Sequence, residues 1–140
     1  MRSVLWCALV LGAAMASGPA SAQALSVVMD CGETATAQTR TTLYFGRTRP
    51  KGSVSELEWQ LFLRDEVTTR FPDGLTTWDA QGQWRGASGV IDHEQSKVLL
   101  LVHAETPKAR QSVLEVIAAY RKAFDQEAVL WESARVCVAS

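Results

Sequence analysis

Five consecutive apolar residues, Val98-Leu99-Leu100-Leu101-Val102, constrain this 140-residue chain more than any other feature. Successive side chains of an extended strand point to opposite faces, so the run places apolar groups on both sides at once. Such a strand needs cover above and below. The run is far too short to cross a bilayer as a helix, which takes roughly 20 apolar residues, and no later stretch is longer.

The flanking patterns define what surrounds that strand. Thr41 to Gly46 has the β-branched and aromatic content of a first strand, and Gly46 through Gly52, with Pro50 inside, is turn chemistry. Ser55 followed by Glu58 has capping-box spacing, and Trp59, Phe62, Leu63 and Val67 share one face of a helix predicted over 54–70. Phe71-Pro72-Asp73-Gly74 is a turn leading into a long hairpin. Its arms are 76–85 and 90–102, joined near Gly86 to Gly89, with bends expected at Gly82 and at Gln95-Ser96. Thr106-Pro107 opens a second helix, 107–124, carrying Val113, Ile117, Tyr120 and Phe124, and residues 128–138 form a closing strand.

The order strand, helix, strand, strand, helix, strand implies an α+β, ferredoxin-like βαββαβ fold, a four-stranded antiparallel sheet with both helices on one face. Two helices cover one side only, so Val98 to Val102 requires something on the other. A homodimer packed sheet to sheet is favoured over the N-terminal arm folding back.

Upstream of this domain, Arg2, the apolar stretch from Val4 to Met15 and the small-x-small pattern Ala20-Ser21-Ala22 read as a signal peptide over 1–22, cut after Ala22. Residues 23–40 are then an N-terminal arm and 41–140 a single domain, periplasmic or secreted, with no membrane span. Removing the leader removes Cys7. Cys31 and Cys137 are left with only each other as partners in an oxidising compartment, and a bridge would contribute on the order of 4 kcal/mol by the chain-entropy model. The alternative is that Cys137 is a small buried hydrophobe and Cys31 a loop thiol. With 14 Lys+Arg against 15 Asp+Glu, the chain lacks the basic excess that nucleic acid selects, and no partner of that class is expected. No metal-ligand spacing, glycine-rich phosphate loop or nucleophile elbow occurs, so no cofactor is expected.

Leu43-Tyr44-Phe45-Gly46, Trp59 with Phe62, Phe71 to Thr76, Gln81 to Arg85, Glu94 with Ser96-Lys97, and Tyr120 with Phe124, Gln126, Glu127 and Val129 together resemble a bacterial domain-of-unknown-function family, the one numbered 3574. The resemblance spans about residues 40–138, and its most specific pieces are Phe71 to Thr76 and Gln126-Glu127. It implies a small secreted or envelope protein and supplies no chemistry.

The predicted topology gathers Arg47, Trp84, Arg85, His93, Glu94, Gln126 and Glu127 at one end of the sheet. Histidine beside a carboxylate, faced by arginine and indole, is a constellation that holds a small anionic or aromatic ligand, or acts as a general base. The same residue types at strand ends also make a solvated rim, with Gln126 or Glu127 satisfying loop backbone groups. The opposite end collects Glu66, Asp73 and His103, read as structural. The expected function is therefore binding of a small ligand or a protein at Arg47, Trp84, His93, Glu94 and Gln126. Two alternatives stand beside it. One is a cofactor-independent enzyme of the dimeric α/β-barrel type using His93 or Tyr44. The other is a structural envelope component. An enclosed cavity, an open rim and a flat surface would distinguish the three.

Overall fold

The structure, a computed structural model, describes residues 30–85 and 87–139. The expected leader and the first part of the expected arm, residues 23–29, lie outside the described residues. Strand β1 is Thr36–Gly46, helix α1 Glu56–Phe62, β2 Thr76–Arg85, β3 Ile91–His103, α2 Pro107–Phe124 and β4 Leu130–Val138. The four strands form one antiparallel sheet in the order β2-β3-β1-β4. With a helix linking β1 to β2 and another linking β3 to β4, this is the ferredoxin-like arrangement.

Local chemistry accounts for the helices. Ser55 and Glu58 form the full capping box at the start of α1. Thr106 accepts from the Ala109 N–H and Pro107 opens α2, so two of the orphan helix N-terminal groups are satisfied or removed. The first helix does not stay α-helical to residue 70. Beyond Phe62 it widens into a π-helical turn, Leu63–Val67, in which the Thr68 N–H donates to the Leu63 carbonyl at 2.8 Å. On α2 it is Val116, with Val113, Tyr120 and Phe124, that is buried, while Ile117 is partly buried at the edge of the core. Both spacings fit one helical face.

Two strand expectations need correction. Thr36 to Arg40 belong to β1 rather than to the arm, because all five pair with β4, Thr36 opposing Val138 and Arg40 opposing Ala134, and from Thr39 onward they pair with β3 as well, Arg40 opposing Val102. The hairpin also carries no bulge. Gln81, Gly82 and Ala80 oppose Gln95, Glu94 and Ser96 in unbroken register, and Gly82 needs no bend because the Trp84 indole folds back over it, with Nε1 3.8 Å from where a Cβ would stand.

The core lies between the sheet and the helices. Leu43 and Phe45 of β1 and Leu99 and Leu101 of β3 face Trp59, Phe62, Val67, Val113, Val116 and Tyr120. The Phe45 ring is 4.5 Å from Tyr120, 5.4 Å from Trp59 and 5.8 Å from Phe62, at the tilted and edge-on angles that aromatic quadrupoles favour. Cys31 and Cys137 are bonded, Cα atoms 5.3 Å apart, tying the residues before β1 to the end of β4. Among the described residues no helix is long and apolar enough to cross a membrane.

Candidate functional site

Three of the five expected site residues converge, and what they converge on is backbone. After β1 the chain makes a small excursion, residues 47–54, closed by a two-residue ladder in which Thr48 opposes Ser53. Arg47 donates through Nε and Nη2 to the Val54 carbonyl, at 2.9 and 2.7 Å. Glu94 Oε1 accepts from the Thr48 N–H at 2.7 Å, and Gln126 Nε2 donates to the Thr48 carbonyl at 2.5 Å. Helix α2 ends at Asp125 in the left-handed conformation, and that turn brings Gln126 over the excursion.

Gly46 is the pivot of this margin. A Cβ there would stand 2.6 Å from the Glu94 carboxylate, so the absent side chain is what lets Glu94 reach Thr48. From inside the core the Tyr120 hydroxyl donates to the Gly46 carbonyl at 2.9 Å. Burial, with the Glu94 charge second, pushes the Tyr120 phenol well above its ordinary value, so it is a fixed neutral donor. Glu58, bonded to the Ser55 backbone and hydroxyl and to Arg49, is held down to about 2.

The other two residues stand farther out on the β2–β3 hairpin, and on opposite faces. Trp84 opposes Asp92, whereas His93 opposes Gln83, so strand alternation puts Trp84 with Gly82 and Glu94 on the helix-free face and His93 on the other. Arg85 and Glu127 are exposed. Arg47, Glu94 and Gln126 thus gather on the excursion, and Trp84 and His93 are not brought together with them. Two concavities lie elsewhere: a groove of about 270 Å³ between Phe62 and Phe124, rimmed by Glu58, Asp65 and Glu66, and a hollow of about 170 Å³ at the opposite end of the sheet, by Arg70, Phe71, His103 and Lys108. Both are smaller than a typical drug-sized ligand pocket. At that second end His103 contacts Thr41 Oγ1 through Nε2 at 3.0 Å and the Ala104 carbonyl through Nδ1 at 2.9 Å, which fits a ring protonated on Nδ1. Arg70 bonds Glu66 at 2.9 Å and Glu115 at 3.1 Å, linking the π-helical turn to α2.

Sequence reasoning overlooked one charged group. Lys97 opposes Phe45 on the helix-facing side and is 5% exposed, yet its ammonium meets Glu56 and Asp79, each at 2.6 Å. Burial alone would lower its pKa, but the two carboxylates outweigh it and hold the pKa above the lysine value. The Lys97 bond, then the Gln60 bond, holds Glu56 below the carboxylate range. Lys97 shares strand parity with Leu99 and Leu101, which is the signal that could have found it.

The helix-free face completes the geometry. Register aligns Trp78, Val98, Tyr44 and Leu130 in one row across all four strands, on the face that neither described helix covers. Val98 is 1% exposed between its neighbours, while Trp78 is 44% and Leu130 48% exposed. Ala80, Ser96 and Gly46 make up the next row, where the buried Ser96 hydroxyl has no hydrogen-bond partner among the described residues. Trp84 and Val102, 39% and 37% exposed, lie toward the two ends.

Two solved structures share this fold: a phage SAM lyase in complex with S-methyl-5'-thioadenosine, 13% identical, TM-score 0.57, covering 82% of this chain and 97% of that one, and a phage SAM lyase in the apo state, 12% identical, TM-score 0.56, covering 84% and 97%. No curated protein matches the chain. The sequence segments around Phe71 to Thr76 and Gln126 lie within residues 40–139, all of which match the model of the family described as "Protein of unknown function (DUF3574)", and the chain belongs to that family.

Proposed function

We propose that this chain is a binding module of the periplasm or the extracellular space. It takes a small ligand or a protein on the helix-free sheet face and the adjoining hairpin margin. The observation that carries the reading is the row Trp78, Val98, Tyr44 and Leu130, whose outer members are nearly half exposed where soluble domains ordinarily place polar groups. In this reading Arg47, Glu94 and Gln126 shape the rim by fixing residues 47–54, Trp84 meets a ligand on the helix-free face, and His93, on the opposite face, meets one that wraps the hairpin edge. The Cys31–Cys137 bridge supports the oxidising compartment. The test is a thermal-shift screen against aromatic and nucleoside metabolites, S-methyl-5'-thioadenosine among them. Stabilisation that Trp84→Ala and His93→Ala abolish is expected. An absence of hits, or hits indifferent to both substitutions, would count against a small ligand at this margin.

A small enzyme is the second reading, favoured by one observation, the fold shared with a chain described as a SAM lyase. Tyr44, half-buried in the apolar row, would then be the proton-transfer group. Release of S-methyl-5'-thioadenosine from SAM by the purified chain, lost in Tyr44→Phe, would replace the binding reading with this one.

A further inference from the structure

The helix-free face has a symmetry of its own. On β3, Asp92 and Val102 are equidistant from Lys97, and so are Ser96 and Val98. A twofold axis running across the strands at the level of Lys97, between two copies stacked face to face, exchanges the members of each pair. The row of large side chains, Trp78, Val98, Tyr44 and Leu130, then lies over the partner's row of small ones, Ala80, Ser96 and Gly46, and the reverse. Alternating large and small rows are what interdigitation across a sheet sandwich requires.

The same operation treats the ends alike. Asp92 stands beside Trp84 at the hairpin end, and Arg40 stands beside Val102 at the other. Reversing the strand direction brings Asp92 over the partner's Val102, one strand away from the partner's Arg40, and carries the exposed Trp84 indole to the partner's Val102 end. An axis parallel to the strands would instead set like ends together, Arg40 against Arg40. Charge complementarity thus selects one of the two ways of stacking the sheets. Four strands about 4.8 Å apart and averaging about 33 Å long give the face a footprint of roughly 600 Å². That approaches the roughly 800 Å² per partner of a standard interface. A closed, isologous contact of this kind leaves no second copy of the apolar row exposed.

We infer that the partner on the helix-free face is a second copy of this chain, related by a twofold axis crossing the strands at Lys97, with each Arg40 paired to the other copy's Asp92. This rests on the reading of that face as a binding surface and names its occupant. The test is the mass of the purified chain in solution by light scattering and sedimentation equilibrium. The wild type is expected at twice the chain mass and Trp78→Glu at the monomer mass with unchanged circular dichroism. Arg40→Asp and Asp92→Arg, both surface changes that spare the fold, should each weaken the dimer roughly tenfold or more, because each juxtaposes like charges at two symmetric points. Mixing the two variants restores both contacts, and the heterodimer should regain wild-type affinity. A wild type that stays monomeric at its highest soluble concentration overturns the inference, as does a dimer indifferent to Trp78→Glu or one whose charge variants fail to complement. If a monomeric chain still binds ligands through Trp78 and Trp84, the binding reading stands and the self-association falls. If it binds nothing, both fall.

Discussion

Leu99 and Val98 are neighbours in β3 and almost equally buried, yet they are buried by different means. Leu99 lies on the helix-facing side within a continuous apolar layer that includes Trp59, Phe62, Val113 and Tyr120. Val98 points the other way, where its cross-strand neighbours Trp78 and Tyr44 flank it and neither described helix covers it. The difference shows how an apolar run that faces both ways can be accommodated in a two-layer fold. Large neighbours shelter the central strand and take the exposure onto their own outer surfaces. One face is finished within the chain; the other is finished only at its centre.

The largest expected effect sets those two faces against each other. Phe45→Ala removes a fully buried ring that touches three other aromatics, and should cost about 3–5 kcal/mol in urea unfolding. Trp78→Ala removes a side chain of greater volume that is 44% exposed, and should cost no more than about 1 kcal/mol under conditions where the chain is a monomer. Equal costs for the two would break the comparison, since the helix-free face would then be packed as tightly as the core.

A smaller effect belongs to the margin. Tyr120→Phe keeps the ring and deletes the hydroxyl that donates to the Gly46 carbonyl, which should cost about 1–3 kcal/mol. The Tyr120 phenol is raised, so the stability it lends is complete below its unfolded pKa, near 10, and is lost as pH rises through its folded one. Titrating the chain by absorbance should show a phenol that resists ionisation to high pH, absent in Tyr120→Phe. A wild type without that resistant phenol would remove the buried donor from the account.

Much of this was legible from local chemistry. The Ser55–Glu58 capping box, Thr106-Pro107 and the Phe71 to Gly74 turn are short-range signals, and they set the element order and therefore the topology. Thr36 to Arg40 were not legible, because a Thr- and Gln-rich segment has no alternation of its own and becomes strand only by pairing with β4 along its length and with β3 from Thr39 onward. The convergence of Arg47, Glu94 and Gln126 followed from topology. Their role did not, since their partners are the Thr48 and Val54 backbone groups, which any sequence would possess. Trp84 and His93 parted because facing depends on hairpin register, and the turn between Arg85 and Ile91 leaves that register open in the sequence.

The finest distinction between the faces is electrostatic, and it concerns Lys97, the charge buried on the helix side. Glu56 is lowered in the folded chain, so its contribution is complete above the unfolded carboxylate value and is lost as pH falls through the folded one. Lys97 is raised, so its contribution is complete below the unfolded lysine value and is lost as pH rises through the folded one. Together they give a plateau from about pH 5 to about pH 10 with a fall at each end. Glu56 and Asp79 are well exposed, and solvent screening limits the fall from this cluster to at most about 1 kcal/mol on either side. Glu58 steepens the acid side and Tyr120 the alkaline side in any case, so the informative quantity is the difference between wild type and Lys97→Met. Methionine fills the same apolar channel without a charge and should leave stability at neutral pH nearly unchanged while flattening both slopes. Slopes identical to wild type would mean that Lys97 is solvated through its neighbours rather than held by them. The helix-facing side would then be wet at that point, and the contrast with the open face would narrow to hydrophobic packing alone.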